Sequence, residues 1–433
     1  MSLSPQVLQA APAASAYCVA YSGGMDSTVL LHLACAAQLP GLGALHVHHG
    51  LQDSADDWAG QCAAQCDAWQ VPLQVLRVSV DAQHPQGPEA AARAARYAAL
   101  QAHMPKDAVL LTAHHAGDQA ETVLLRLLRG TGVEGLAAMP ITTPLGASGL
   151  TLWRPLLRVS RDALRQYAEQ HALCWIEDPH NSDPQYARSW LRSNVMPRLH
   201  SRWPDADAQL ARAAEHAADA ATLLTGLAET LLLPLCRDDG LSVSGLLALK
   251  PAERRLVLRH WLAARRLPVP FASTLQQLER DVLRAQAEAM PLLRWPGIEC
   301  RRYRDVLYAS APLPPLPEDF TATWDGKQPL QLPAGYGVLH AMEDFAEPVQ
   351  VRFAQGGERI RPKNDAHTRS LRYLAQQAGV PPWLRPRLPL VFLAGQLVSV
   401  AGRWNSATAM QLCWQAPDFH GLPLSWRQRF TNN

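Results

Sequence analysis

No Cys-x-x-Cys pair occurs among the eight cysteines, which are scattered at Cys18, Cys35, Cys62, Cys66, Cys174, Cys236, Cys300 and Cys413. This excludes an evident disulfide framework and the common spacing for a thiol redox pair, and it reads as reduced cytosolic thiols. Cys62 and Cys66 lie one helical turn apart and read as two small residues on a buried helix face rather than half a metal site. No run of 18 uncharged apolar residues is present, so no membrane span is expected. No cationic region precedes an apolar run at the N-terminus, which argues against a signal peptide. No internal repeat is found. Lysine is scarce, with four against 36 arginines, so arginine-rich surfaces are expected throughout.

What is present is a chain of 433 residues with 48% apolar side chains. That length suggests two to four domains, and the composition is ample for folded cores. The net charge of +2 conceals an asymmetry: residues 351–433 carry +8 and residues 1–350 carry −6. A basic tail on a near-neutral protein suggests a phosphate-rich partner such as nucleic acid. A Pro-rich stretch, Ala311–Pro317, marks a linker. The expected organisation is a catalytic domain over 1–215, a helical recognition domain over 216–317 with a long connector helix near 205–230, and a small basic α+β domain over 318–433.

The most informative segment runs from Cys18 to Leu31. It is a short apolar strand, a Ser22-Gly23-Gly24 turn, and then Asp26-Ser27 opening an apolar helix. Free backbone amides and a helix N-terminus then converge on one point, which suits phosphate. The glycines permit close approach, and Ser22 and Ser27 add hydroxyls. Asp26 needs a counter-ion beside phosphate, and Mg²⁺ bridging the two is the simplest answer. Lysine is absent from the loop, so this is not the GxxxxGK[ST] loop. Ser-Gly-Gly-x-Asp-Ser resembles the pyrophosphate loop of the N-type ATP pyrophosphatases.

Short apolar runs at Tyr17–Tyr21, Leu42–His48, Leu73–Val78 and Ala108–Ala113 read as strands. They alternate with helical stripes at Asp26–Gln38, Ser54–Trp69, Pro88–Met104 and Asp118–Arg129. This order implies an α/β fold, a parallel sheet with helices on both faces. Sites in such sheets form at the carboxyl ends of the strands, so Ser22, His48 and His114 are expected on one edge. Residues 230–310 read as mainly helical.

Further motifs sit where that edge predicts. Leu45-His46-Val47-His48-His49-Gly50-Leu51 ends the second strand, where histidines could meet adenine or substrate. Pro88–Tyr97 opens a helix bearing Arg93 and Arg96 on one face. Arg93 could lie against a ligand or pair with Glu89. In Leu111–Val123, Asp118 could be a plain N-cap with Glu121 completing a capping box. Alternatively, Asp118 and Glu121 stand where Mg²⁺ or an amine would meet the nucleotide. Finally, an acidic turn at Glu177–Asp183 precedes a helix with Arg188 and Arg192 one turn apart.

Together these motifs resemble the bacterial tRNA(Ile)-lysidine synthetase family. The C-terminal segments Phe353–Arg361 and Pro381–Arg385 extend the resemblance across most of the chain. It implies a cytoplasmic ligase using ATP and Mg²⁺. The wobble cytidine of a CAU-anticodon isoleucine tRNA is adenylylated at O2, releasing pyrophosphate. The L-lysine ε-amine then displaces AMP at C2. By the same resemblance, the ATP-binding residues are Ser22, Gly23, Gly24, Met25, Asp26 and Ser27, and the metal residues are Asp26 and Asp118. The catalytic residues implied are Asp26, Arg93, Asp118, Glu121 and Arg188. The basic residues Arg359, Arg361, Lys363, Arg369, Arg372 and Arg385 are expected to grip tRNA, and a homodimer is compatible with the reading. Two departures stand out. The family usually has Asp-Asp-Gln where this chain has Gly117-Asp118-Gln119, and Arg-Asn where this chain has Arg188-Ser189. Asp118 is expected to carry the role alone, so that Gly117→Asp changes little.

Overall fold

The computed structural model describes residues 3–48, 55–79, 88–146, 149–177, 187–237, 239–286, 289–317 and 319–417. The chain divides into two compact units, Met1–Leu223 and Leu224–Asn433.

The first unit alternates strands β1 (Tyr17–Ala20), β2 (Leu42–His48), β3 (Leu73–Arg77) and β4 (Val109–Leu111) with helices α1 (Met25–Ala36), α2 (Ala55–Ala68), α3 (Pro88–His103) and α4 (Ala116–Leu128). After α4 come a single turn α5 (Val133–Leu136), strands β5 (Thr142–Leu145) and β6 (Leu150–Trp153), and helices α6 (Arg161–Gln170), α7 (Ala187–Asn194), α8 (Met196–Arg202) and α9 (Ala206–Leu232). The sheet order is β3-β2-β1-β4-β6-β5. Every pair is parallel except β5 with β6. The expected α/β sheet is therefore present. The β5–β6 hairpin is an addition to the four strands read from the sequence.

Side-chain alternation along the strands builds a core on each face. Tyr17, Val19, Val109 and Leu111 join Leu30, Leu31, Leu33, Leu164 and Tyr167 from α1 and α6. The intervening Cys18 and Leu110 point the other way, to Leu100 of α3. Cys62 and Cys66 are both buried in the first cluster, as their spacing predicts. The effect is to clamp α1, and hence the turn that precedes it, against the sheet. Truncating a fully buried leucine there would cost about 2–5 kcal/mol.

Helix α9 begins on the first unit, where Ala214 packs with Val123 and Ala138. Its last turn, with Leu231 and Leu232, packs on the second unit's core. With the short 3₁₀ turn that follows, it is long and apolar enough to cross a membrane by length and composition. Asp219 and Glu229 interrupt that stretch.

The second unit holds the expected helices Val243–Ala248, Pro251–Ala264 and Ala272–Gln277. It also holds a five-stranded antiparallel sheet within 236–310 that the helical reading omitted. Those strands carry Arg294, Arg301 and Arg302, and the first two pair with the buried Glu299. That charge pattern resembles a solvated helix face. Beyond Thr321 a second five-stranded antiparallel sheet and the helix Leu371–Gln377 form the α+β region that the turn pattern predicts. Trp383 packs edge-on against Tyr303 and Tyr308 and under Arg301, tying the segment after the helix Leu371–Gln377 to the sheet within 236–310.

Candidate active site

The turn between β1 and α1 takes the shape its glycines allow. Gly23 has φ +82°, a left-handed conformation that side chains resist. Its carbonyl accepts from the Ile176 amide at 2.9 Å. A Cβ on Gly23 would lie 2.6 Å from Ile176 Cδ1 and 2.8 Å from Cys62 Sγ. Gly23→Ala is therefore expected to cost about 2–5 kcal/mol from backbone strain plus overpacking. A urea denaturation midpoint equal to wild type would contradict this. Ser27 ties the turn together: its hydroxyl donates to the Gly24 carbonyl at 2.9 Å, accepts from the Ser22 amide at 3.2 Å and meets the Ser22 hydroxyl at 3.0 Å. Met25 is the exception among the loop residues. Its side chain is buried in the core, so only its backbone belongs to the turn.

A cavity of about 460 Å³ opens at the carboxyl edge of the sheet. Ser22, Gly24, Asp26, Ser27, Arg93 and Asp118 line it, together with His46, His48, Trp58, Tyr97 and His114. Ser22, His48 and His114 thus share one edge, as the strand order predicts. His46 Nδ1 lies 2.9 Å from the Tyr21 carbonyl. A carbonyl only accepts, so Nδ1 carries the proton and Nε2 is left as an acceptor. Residues His49–Leu51 and Asp178–Asp183 lie outside the described residues, as does the Glu89 side chain.

Helix α4 begins at Ala116, two residues before the position read from sequence. Its N-cap is His115, and Asp118 closes the capping box by accepting from the His115 amide at 3.0 Å. The capping and chemical roles of Asp118 are therefore not alternatives, because its other oxygen, Oδ1, faces Arg192 at 3.2 Å. His115 Nδ1 accepts from the Gly117 amide, which places the ring proton on Nε2. That nitrogen stands 3.8 Å from Asp26 Oδ2 and 3.5 Å from Asp118 Oδ2, holding both carboxylates around one donor. Burial pushes the Asp26 carboxyl above its usual range, against the pull of His115 and Arg161. Burial also pushes Asp118 up, but His115, His114 and the His115 amide together hold it below the usual range. Burial drives His114 down to about 4, so it is neutral at physiological pH.

A larger residue at Gly117 would need its neighbours to shift. A Cβ there would lie 2.8 Å from the His115 ring and 3.3 Å from an Asp207 carboxylate oxygen. The expectation that Gly117→Asp changes little is therefore corrected: a carboxylate would displace the capping imidazole and face Asp207.

Glu121 sits one turn along α4, only 3% exposed. It is not on the cavity wall but behind it. Arg192 donates to it through Nε at 2.6 Å and through its terminal nitrogen at 3.0 Å. Arg188 Nε lies 3.1 Å away as a second cation, and its terminal nitrogen donates to Thr122 Oγ1 at 2.6 Å. Arg192 thus clamps Asp118 and Glu121 together, a role that sequence reasoning assigned to neither. The signal was the four-residue spacing of two arginines on α7. Both reach α4, and how the helices pack decides which of them bridges the two carboxylates.

Asp26 Oδ1 is buried and has no hydrogen-bond partner among the described residues. An orphaned carboxylate oxygen beside a phosphate-shaped turn suits Mg²⁺. No cluster of three ligating side chains occurs among the described residues. Phosphate oxygens and water would therefore complete the shell, as is usual for this ion.

Among the basic residues, Arg369 pairs with Asp365 at 2.8 Å, and Arg385 donates to the Val380 carbonyl and the Tyr303 hydroxyl. Arg359, Arg361, Lys363 and Arg372 are exposed.

Comparison with known proteins assigns the chain. A PP-loop domain family matches residues 3–199, a TilS substrate binding domain matches 241–308, and a TilS substrate C-terminal domain matches 349–417. The chain is 41% identical over 425 residues to the tRNA(Ile)-lysidine synthase of Methylococcus capsulatus, covering 94% of each protein. It is 46% identical over 404 residues to that of Alkalilimnicola ehrlichii, covering 90% of this chain and 89% of the relative. The synthase of Coxiella burnetii is 40% identical over 400 residues, with 90% and 89% covered. The chain belongs to the tRNA(Ile)-lysidine synthase family. Within that family's PP-loop domain lie the phosphate turn, the Asp26–His115–Asp118 cluster and the Arg192 clamp. The family's two TilS domains both fall within the second unit.

Proposed function

We propose that the chain uses ATP to join L-lysine to C2 of the wobble cytidine of a CAU-anticodon isoleucine tRNA, in the cytoplasm. The observation that carries this reading is a cavity in which a phosphate turn with Asp26 meets the arginine-clamped Asp118. Residues 1–215 catalyse, 216–317 recognise substrate and 318–433 grip the RNA.

Residues Ser22–Ser27 hold the β- and γ-phosphates with backbone amides and hydroxyls. Asp26 and Asp118 are the residues that would hold Mg²⁺, which when bound neutralises charge on the leaving pyrophosphate. Cytidine O2 attacks the α-phosphorus and pyrophosphate leaves. Arg93 stands exposed at the cavity wall, where a guanidinium stabilises the adenylylated base. Lysine arrives as an ammonium ion and is recognised by Asp118 on the cavity wall, while Glu121 stands behind it as the anchor for Arg188 and Arg192. It loses a proton there, attacks C2, and AMP departs. Arg192 holds Asp118 and Glu121 in place, with Arg188 as a second cation beside Glu121. Incubating the chain with ATP, lysine and this tRNA and digesting the RNA to nucleosides tests the reading. Lysidine in place of the wobble cytidine supports it. Unaltered cytidine with a folded, ATP-binding chain rejects it.

The exposed Arg359, Arg361, Lys363 and Arg372 are proposed to contact RNA phosphates, while Arg369 and Arg385 support the domain from within. Changing the first four to glutamine is expected to make the dependence of tRNA affinity on salt shallower by roughly 0.7–0.9 logarithmic units per lost contact. Equal slopes would remove these residues from the interface. Substitution is a cleaner test than deleting residues 318–433, because deletion would strip Trp383 from Tyr303 and Tyr308.

A further inference from the structure

Helices α7 and α8 present a surface that the active-site chemistry does not use. Residues 187–204 contain four arginines and no aspartate or glutamate. Arg188 and Arg192 turn inward to Glu121. Arg198 and Arg202 are exposed. Trp190 and Trp203 are 51% and 57% exposed, and they are the only exposed tryptophans among the described residues. Tryptophan is usually well buried, so two exposed rings in one basic helix pair are unusual. Leu191 and Met196 supply the buried contacts of this pair, so neither ring is needed for packing. Arg202 lies over the Trp203 ring, with 5.6 Å to its centroid.

Exposed aromatic faces interleaved with cations suit single-stranded nucleic acid, because every base has a π-face and every linkage a negative charge. The reacting cytidine must leave its stack to reach the cavity, which leaves its neighbours without a stacking partner. Trp190 stands two residues from both Arg188 and Arg192 on the eight-residue helix that reaches the site. We propose that Trp190 and Trp203 form the stacking platform for the unpaired bases beside the reacting cytidine, with Arg198 and Arg202 on the adjoining phosphates. The proposal rests on the lysidine reading and names the surface that presents its RNA substrate.

The test uses the full-length chain and two RNA probes: a stem–loop with a CAU loop, and the same stem as a duplex lacking the loop. Trp190→Ala and Trp203→Ala are each expected to weaken stem–loop binding by roughly tenfold, a usual size for one stacked base. Duplex binding should not change, and Trp190→Phe should retain most of the affinity. Tryptophan fluorescence should be quenched by the stem–loop and not by the duplex. Wild-type affinity in both alanine variants, or equal weakening for both probes, overturns the platform. So does a change in sedimentation with unchanged RNA affinity, which would make the face a contact between copies. If wild type forms lysidine and the variants bind normally, only the platform fails. If wild type forms no lysidine, the underlying reading fails with it.

Discussion

Arg192→Ala is expected to destabilise the first unit by about 3–5 kcal/mol, because it strips the principal cation from a buried carboxylate. Glu121 is 3% exposed and takes two hydrogen bonds from this one guanidinium. Asp118 shares the same group. Arg188 compensates only in part, since its Nε stays 3.1 Å from Glu121 while its terminal nitrogen is held by Thr122. Lysidine formation should fall with the clamp, by at least ~10²-fold, the usual size for an electrostatic group in a site. The double variant Arg192→Ala/Glu121→Gln removes the stranded charge and should recover much of the stability but not the activity. Thermal melting and single-turnover kinetics on the three proteins separate the two effects. A single variant that melts with wild type would show that the clamp is not a stabilising contact.

Asp26→Asn is expected to lower pyrophosphate release by ~10²–10⁴-fold while leaving tRNA affinity nearly unchanged. The substitution keeps the side-chain shape and removes the charge from a group whose Oδ1 has no partner among the described residues. The activity of wild type should depend on Mg²⁺ concentration, and that of the variant should not be restored by excess Mg²⁺. Near-normal turnover at saturating Mg²⁺ would remove Asp26 from the metal role.

The parts legible in the sequence are those encoded locally. The strand, the Gly23 turn and α1 are specified by adjacent residues, and β1 to β4 follow from runs that differ sharply from their flanking helices. The cavity follows in turn, since strand order alone places Ser22, His48 and His114 on one edge. What stayed hidden depends on tertiary packing. Met25 reads as part of a loop, yet its side chain faces the core. Arg188 and Arg192 are indistinguishable by spacing, and only the approach of α7 to α4 selects Arg192. The N-cap reading of Asp118 misjudged the start of α4, because a histidine can accept a capping bond as an aspartate does. In the second unit, Arg294 and Arg301 on the strands within 292–303 both pair with the buried Glu299. Arg385 reads as a surface cation but is held by the Tyr303 hydroxyl.

The central claim is that one cavity runs two steps in order, with the RNA carrying the activated group between them. The direct measurement is product release from the full chain with ATP and the CAU-anticodon tRNA, first without lysine and then after lysine is added. The account predicts that pyrophosphate is released without lysine, up to one equivalent per enzyme-bound tRNA, and that AMP appears only when lysine is added. Pyrophosphate release that needs no tRNA, or AMP release that is indifferent to lysine, would contradict it.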